Sequence, residues 1–431
     1  MLATLFSAAL PILIASSGLY LLIRTRAFLF LHPIRSLRYM LGGDRLSRSL
    51  SSLALALSGT LGVGSVSGVI LALSVGGPGA ILWMWISAIL SIALHYVEVA
   101  AALTDRLPCS SVRGRLHAAL LVLTAPLLGG ALQSAAAAEA LTLTVGAPRI
   151  SVGLLLSFAL LAAAMLGVGR LSRLTERLLP ILSLLYLILT LGVIVGRIER
   201  LPEVLTAIVG QGFSPKAASG GLLGCIWIGF SRGLLSNEAG CGTAVYAHAE
   251  AGEVEPCRQG LFGAAEVAID TLLFCTLTAF ALLLAADGGE PTLSTLLSAA
   301  VESLGPIASP LLSLTLTIFA YAAALALLHH GRVALSRLGI KRGGIYTLLF
   351  CASLAVGSLF PSEGVAALLD PLLLALTALT LPGIVKAADR VVSLSAAAGL
   401  IRFTRKRGSS TAGMHPMPQD ARACQAPRAR S

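Results

Sequence analysis

Long apolar blocks alternate with short polar connections along most of this chain. Eleven blocks are each close to the length of about 20 residues with which a helix crosses the hydrocarbon core of a bilayer. They run approximately over residues 2–23, 52–74, 79–104, 116–145, 150–168, 178–196, 219–248, 261–286, 308–329, 345–360 and 366–386. No connection between the blocks is long enough to form a soluble domain. The pattern therefore predicts an all-α polytopic membrane protein.

Clustered glycines mark two of these blocks as broken helices. Gly59, Gly62, Gly64 and Gly68 interrupt one block, and a series from Gly220 to Gly242 interrupts another. With the N-terminal block set aside, these blocks are the first and sixth of ten, so each opens a five-span half. In lipid, unwound backbone survives only where it is buried or lines a cavity. The pair predicts a 5+5 inverted repeat with a binding site at its breaks; close helix packing is the alternative explanation.

Arginines in the connections predict the orientation. With the N-terminus outside, the cytoplasmic connections hold most of them, whereas the outer connections hold few. The C-terminus is then cytoplasmic. The predicted organisation is an N-terminal transmembrane helix (1–23), an amphipathic cytoplasmic segment (24–51), two inverted repeats (52–196 and 219–386) and a disordered basic cytoplasmic tail (402–431).

Composition supports the membrane assignment and excludes other classes. Of 431 residues, 56% are hydrophobic and 12% are charged, whereas soluble domains carry about 25% charged residues. The net charge of +11 is spread over loops rather than gathered on one face, so a nucleic-acid partner is not expected. The 7 cysteines lack metal-site or disulfide spacing. No HExxH or GxSxG motif indicates an enzyme.

The motifs at the two breaks are specific. The first runs from Gly59 to Val69 and the second from Arg232 through Ser236-Asn237-Glu238-Ala239-Gly240 to Ala244, followed by Ile269-Asp270-Thr271. Together they resemble the alanine/glycine:cation symporter family, and the resemblance extends from about residue 20 to residue 386. It implies a leucine-transporter-type core with one extra N-terminal helix in the plasma membrane. It also implies uptake of alanine or glycine with sodium, or sometimes protons, and no cofactor other than the co-transported ion.

Two departures from the family pattern bear on the predicted sites. Val63-Gly64-Ser65 stands where the family has Thr-Gly-Asn, so a hydroxyl and an amide are replaced by one hydroxyl. Ala322-Ala323 stands where the family has Ser-Thr. In related folds the hydroxyls of this helix complete the sodium site, and alanine offers only its backbone carbonyl. Proton coupling is therefore the alternative to sodium coupling.

Candidate substrate contacts lie at the two breaks and in the third core span. Side-chain amides and hydroxyls, together with freed backbone groups, suit a zwitterionic amino acid. The hydroxyls could instead bond within their own helix, and Phe230 could be a packing residue. The predicted substrate-binding residues are Thr60, Gly62, Gly64, Ser65, Gln133, Phe230, Ser236 and Asn237.

Ionisable groups inside apolar spans are candidates for coupling and gating because their insertion is unfavourable. Glu266 and Asp270 share a helix face and repel unless a cation, a proton or a basic partner lies between them. With Gly59 and Ala322 they form the predicted cation-binding or coupling set. The alternative is structural, with Glu266 extending to the inner membrane surface and Asp270 capping a neighbouring helix. Arg232 and Glu238 are predicted to gate the cavity, either as a pair or through the unwound backbone.

Three further histidine positions have structural interpretations. His95 and Glu98 stand three residues apart on one helix and are predicted to pair. His329 and His330 end a span beside Arg332 and are predicted to anchor it at the inner interface.

The predicted function is symport of a small neutral amino acid with a monovalent cation, in contact with membrane lipid and without an obligate protein partner. Two alternatives remain open. One is a proton-coupled or exchange transporter of the same fold. The other is a non-transporting membrane receptor, against which the two retained breaks argue.

Overall fold

The computed structural model describes residues 2–42, 46–61, 63–105, 112–166, 168–213, 224–252 and 254–401. These residues are helical throughout their regular elements, with no strand among them. The basic tail at 402–431, for which disorder is predicted, lies outside the described residues. The first-half helices are α1 Leu2–Arg24, α2 Phe28–Leu31, α3 Pro33–Leu41, α4 Leu46–Thr60, α5 Val63–Gly76, α6 Gly79–Asp105, α7 Val112–Ala125, α8 Leu132–Val145, α9 Arg149–Leu166 and α10 Val168–Val195. The second-half helices are α11 Leu201–Gly212, α12 Cys225–Asn237, α13 Ala244–His248, α14 Pro256–Val267, α15 Thr276–Ala286, α16 Leu293–Leu304, α17 Ala308–Arg337, α18 Gly343–Gly357 and α19 Ser362–Ala397.

Several of these helices can cross a bilayer by length and composition. Five described apolar helical stretches pass that test, and up to seven do so if each of two bent pairs forms one span. One bent pair joins Leu46–Thr60 to Gly64–Gly76 at 44°, and the other joins Leu179–Val195 to Ile198–Gly212 at 75°. The eleven-span count and the 5+5 repeat remain predictions.

Both glycine-rich blocks are interrupted helices. The first changes direction between α4, which ends at Thr60, and α5, which begins at Val63. In the second, α12 ends at Asn237 and α13 begins only at Ala244. Between them Gly240 (φ 84°) and Gly242 (φ 78°) adopt left-handed backbone conformations, which glycine reaches without a Cβ clash. The chain is therefore unwound at both predicted places.

Two stretches of π-helix interrupt other spans. Pro126–Ala131 lies between α7 and α8, and Ala268–Cys275 lies between α14 and α15. Such wide turns are frequent at functional sites. They change the direction in which the side chains point from the helix. The second contains Asp270, and Gln133 follows closely after the first. The π-helical turns were not predicted from the sequence.

Helix boundaries differ from the apolar blocks in several places. Helices α11 and α16 lie in connections for which no span is predicted. Helix α19 has 36 residues, so it continues well beyond the apolar block at 366–386. The segment at 24–51 is broken into short helices, of which α3 is one, before α4 begins at Leu46.

Close packing of α12 on α6 depends on Gly229. A Cβ added at Gly229 lies 2.2 Å from the Ala80 carbonyl oxygen and 2.9 Å from the Trp83 Cβ. Gly229→Ala is therefore expected to lower stability by about 1–3 kcal/mol through overpacking. Thermal unfolding in detergent measures this. The matched control is Gly383→Ala in α19, where a Cβ meets nothing within 4 Å; better helix propensity should make it neutral or stabilising. Equal unfolding temperatures for Gly229→Ala and Gly383→Ala would contradict the explanation by packing.

Candidate functional site

Asp270 connects the two broken helices. The Ser65 hydroxyl, on α5, donates to Asp270 Oδ1 at 2.7 Å, and the Ser236 hydroxyl, on α12, donates to Oδ2 at 2.5 Å. Thr271 Oγ1 donates to the same Oδ2 at 3.0 Å. All four side chains are buried. Ser65, 171 residues from Ser236 and 205 residues from Asp270 in sequence, thus meets both at one carboxylate, which neutral hydroxyl donors surround.

A small cavity of about 10 Å³, roughly the room that one water molecule needs, adjoins Ser65. Its walls are mostly apolar and aromatic: Leu61, Ser65, Val66, Tyr186, Phe274, Thr278 and Phe319. A larger groove of about 820 Å³ extends from Leu50 along α4 and shares Leu61 and Phe274 with the cavity. These two side chains therefore separate the cavity from the groove.

Side chains replace the helical hydrogen bonds that the second break removes. Glu98 on α6 accepts the Gly240 N–H at 2.8 Å through Oε2 and the Gly242 N–H at 2.7 Å through Oε1. Asn237 Oδ1 accepts the Ala239 N–H at 3.1 Å, and its amide donates to Thr271 Oγ1 at 3.2 Å. In this conformation the side chain of Asn237, a predicted substrate contact, hydrogen-bonds the unwound backbone and Thr271.

Glu266 lies in a buried histidine cluster. His95 Nε2 and His248 Nε2 lie 3.2 and 3.1 Å from Glu266 Oε2. His95 Nδ1 lies 2.7 Å from Glu98 Oε2, so the predicted His95–Glu98 contact is present. The Thr60 hydroxyl donates weakly to Glu266 Oε1 at 3.4 Å. The spacing of Glu266 and Asp270 predicted a basic partner for this pair of carboxylates. The two histidines that could serve, His95 and His248, both contact Glu266.

The predicted cation residues Gly59 and Ala322 lie on neighbouring helices. A Cβ at Gly59 comes within 3.9 Å of the Ala326 Cβ and 4.0 Å of His330 Cε1, so α4 packs closely on α17. Ala322, on α17, is buried. Gly62, predicted to bind substrate, lies outside the described residues.

The two histidines at the end of α17 differ from the interfacial prediction. His330 is only 2% exposed, and neither ring nitrogen has a hydrogen-bond partner in the described part of the chain. That prediction is wrong for His330, because α17 continues to Arg337 and keeps this ring among other helices. His329 is partly exposed and pairs with Glu250 at 3.2 Å.

The gating residues Arg232 and Glu238 do not form an ion pair with each other. Arg232 Nη2 forms an ion pair with Asp370 on α19, while Nε and Nη1 have no partner among the described residues. Glu238 is buried at the break and has a left-handed φ of 49°. The structure therefore places an ion pair between the second broken helix and α19.

Two other predicted contacts lie apart from the carboxylate. The Phe230 ring packs against Trp83, with centroids 6.2 Å apart, and is not among the described residues that line the cavity. Gln133 is buried on α8 and donates to the Leu128 carbonyl at 3.4 Å. Its neighbour Leu132 reaches within 4.0 Å of a Cβ placed on Gly64.

Sequence reasoning missed several residues of this region. Asp370 is an acidic residue inside the last apolar block, which was a usable signal. His248 and Gln259 stand in the stretch after the second break that resembles the family, but no role was predicted for them. Tyr186 and Phe319 were indistinguishable from packing aromatics.

Comparisons with known proteins identify the family. Residues 1–110 and 100–399 match the profile of the sodium:alanine symporter family. A probable sodium/glutamine symporter of Bacillus subtilis (strain 168) is 32% identical over 354 residues, which cover 76% of this chain and 74% of that protein. A sodium/proton-dependent alanine carrier protein of Bacillus sp. (strain PS3) is 30% identical over 252 residues, 54% of this chain and 57% of that one.

A solved structure supports the fold. The crystal structure of an Eremococcus coleocola manganese transporter, bound to an aromatic bis-isothiourea compound, matches with a TM-score of 0.55 at 16% identity over 79% of each chain. At this identity the likeness concerns the all-helical fold alone. The family match covers nearly all described residues and confirms the resemblance seen at the two breaks. This chain belongs to the sodium:alanine symporter family, a family of membrane transporters and not of enzymes.

Proposed function

We propose that this transporter carries a small neutral amino acid, alanine or glycine, across the cell membrane together with a cation. The supporting observation is the convergence of Ser65, Ser236 and Asp270 between the two broken helices. A buried carboxylate suits the ammonium group of a zwitterion, and the helix ends freed at the breaks suit its carboxylate. The arginine-rich connections favour an external N-terminus and a cytoplasmic C-terminus.

The walls of the cavity favour a small and uncharged substrate side chain. No basic residue is among the described residues that line it, and three aromatic rings, Tyr186, Phe274 and Phe319, limit its width. A substrate with a charged side chain would lack a partner there, and buried unpaired charge is strongly unfavourable. A glutamine side chain, the substrate named for one relative, would need the rings to move.

Sodium and protons are both candidates for the coupled cation. The relatives named for sodium and for sodium or protons support a cation gradient as the driving force. Gly59 and Ala322 can offer a sodium ion only backbone carbonyls, whereas Glu266 can bind a proton.

Counterflow in proteoliposomes tests the substrate assignment. Purified protein with unlabelled alanine inside the vesicles is expected to take up radiolabelled alanine or glycine. Ser236→Ala removes a donor to the buried carboxylate and is expected to weaken alanine binding about tenfold. The matched control is Ser336→Ala, an exposed serine that bonds only the Val333 carbonyl of its own helix, and it should bind normally. Exchange of charged amino acids but not of alanine or glycine contradicts the proposal.

A further inference from the structure

His95 lies between two carboxylates and needs more protons than a neutral imidazole carries. Its Nδ1 contacts Glu98 Oε2 at 2.7 Å and its Nε2 contacts Glu266 Oε2 at 3.2 Å. Each nitrogen–carboxylate contact is a hydrogen bond only if it holds a proton. A neutral imidazole has one N–H, so two contacts require one additional proton.

The other contacts of the two carboxylates do not supply that proton. Glu98 accepts the N–H groups of Gly240 and Gly242, which are donors that favour its ionised form. Glu266 receives the weak Thr60 hydroxyl bond and the His248 contact.

His248 leaves the requirement at His95 in place. Its Nδ1 lies 2.7 Å from the Gln259 amide nitrogen, and the Gln259 oxygen has no partner in the described part of the chain. The two orientations of an amide are alternative assignments. In the orientation shown, His248 Nε2 donates to Glu266. In the other orientation, His248 Nδ1 donates to the Gln259 oxygen, so the Nε2 of a neutral His248 faces Glu266 with a lone pair, as does one nitrogen of a neutral His95. Either way the His95–Glu266 contact still lacks a proton.

We propose that the coupled cation is a proton, bound by the buried triad of Glu98, His95 and Glu266. This inference rests on the proposed function and names its coupling ion. Glu266 and His95 are 0% exposed and Glu98 is 3% exposed, so water cannot stabilise the deprotonated triad in this conformation. Loss of the proton leaves an imidazole lone pair against a carboxylate oxygen. This repulsion disfavours the buried packing of the triad and promotes its opening to water.

Other titratable groups surround the triad. They lie on α7, at the break after α12, on α13, on the π-helical stretch and on α17, within electrostatic reach of its members: His117, Glu238, His248, Asp270 and His330. Arg232, the basic residue of α12, is committed to Asp370. The two carboxylates of Glu98 and Glu266 lie in direct contact with His95, which favours binding of a positive charge there.

The first broken helix connects the triad to the predicted substrate pocket. Thr60, before the break, contacts Glu266, and Ser65, after it, donates to Asp270. A movement at the break therefore changes both carboxylates together. In each cycle one proton from the outer solution would bind the triad and leave on the inner side with the amino acid. One positive charge would thus cross per neutral substrate, with no other reactant.

Gradient-driven accumulation and counterflow together test this inference. In sodium-free, chelator-containing buffers, wild-type proteoliposomes with an alkaline interior are expected to accumulate alanine and to take up one proton per alanine, reported by a trapped pH dye. Glu266→Gln is expected to lower this accumulation about tenfold or more. Its alanine exchange should fall much less than its accumulation, since exchange returns the loaded carrier without releasing the proton.

Two further variants make the test specific. His95→Asn removes the same proton site from α6 and should show the same separation of accumulation from exchange. The matched control is Glu250→Gln, which alters an exposed carboxylate paired with His329 and should accumulate alanine like the wild type. A wild-type protein that accumulates alanine with sodium alone and takes up no protons overturns the inference, as does normal proton-driven accumulation by Glu266→Gln. Absence of alanine exchange in the wild type overturns the proposed function itself.

Discussion

Asp270→Asn is expected to abolish measurable alanine transport. The substitution keeps the shape of the side chain but removes the negative charge that the Ser65 and Ser236 hydroxyls surround. Loss of a charge-assisted contact to the substrate ammonium in a buried site corresponds to about 3 kcal/mol, or about a hundredfold in affinity. Alanine binding to the purified protein measures the effect directly.

A matched surface variant controls for the Asp270 result. Asp287→Asn changes a carboxylate that is 75% exposed and pairs with Arg200, and it should bind alanine normally. If Asp270→Asn binds alanine within about threefold of the wild type, less than the contribution of one such hydrogen bond, the carboxylate does not contact the substrate.

Asp370→Asn is expected to destabilise the protein more than any exposed ion-pair variant. The Arg232 side chain is 5% exposed, so without Asp370 it would carry an unpaired charge between α12 and α19. Breaking a buried pair on one side destabilises by about 3–5 kcal/mol, whereas replacing both partners is often nearly neutral. The midpoint temperature of thermal unfolding should therefore fall sharply for Asp370→Asn.

The double variant distinguishes an uncompensated charge from lost packing. Arg232→Gln combined with Asp370→Asn should recover most of the stability that the single variant loses. Asp389→Asn, which breaks the more exposed pair with Arg24, is the control and should change little. A double variant as unstable as Asp370→Asn alone contradicts the ion-pair explanation.

The breaks were predictable from the sequence because their cause is local. Glycines at 59–68 and at 240–242 permit backbone conformations that other residues rarely adopt, and the structure unwinds the chain beside Leu61 and between Asn237 and Ala244. The family motifs at the same positions identified the transporter class. Local chemistry was thus sufficient for these features.

Side-chain partners were less predictable because they depend on how distant helices pack. Arg232 was predicted to pair with Glu238 or to act through the unwound backbone, but its ion pair forms with Asp370, 138 residues away. Phe230 faces Trp83 rather than the cavity, and a helix rotation of one residue would reverse that choice. His330 is enclosed because α17 extends past its apolar block, and the length of a helix beyond such a block is not encoded in hydropathy.

The accumulation of radiolabelled alanine by purified protein in liposomes is the most direct test of coupled amino-acid transport. Three conditions are compared: an inward sodium gradient, an inward proton gradient and no gradient. Under an imposed cation gradient, alanine is expected to accumulate above the level reached without a gradient, and the proton gradient alone should be sufficient. Equal alanine levels in all three conditions, with protein shown to be folded, would contradict cation-coupled transport by this chain.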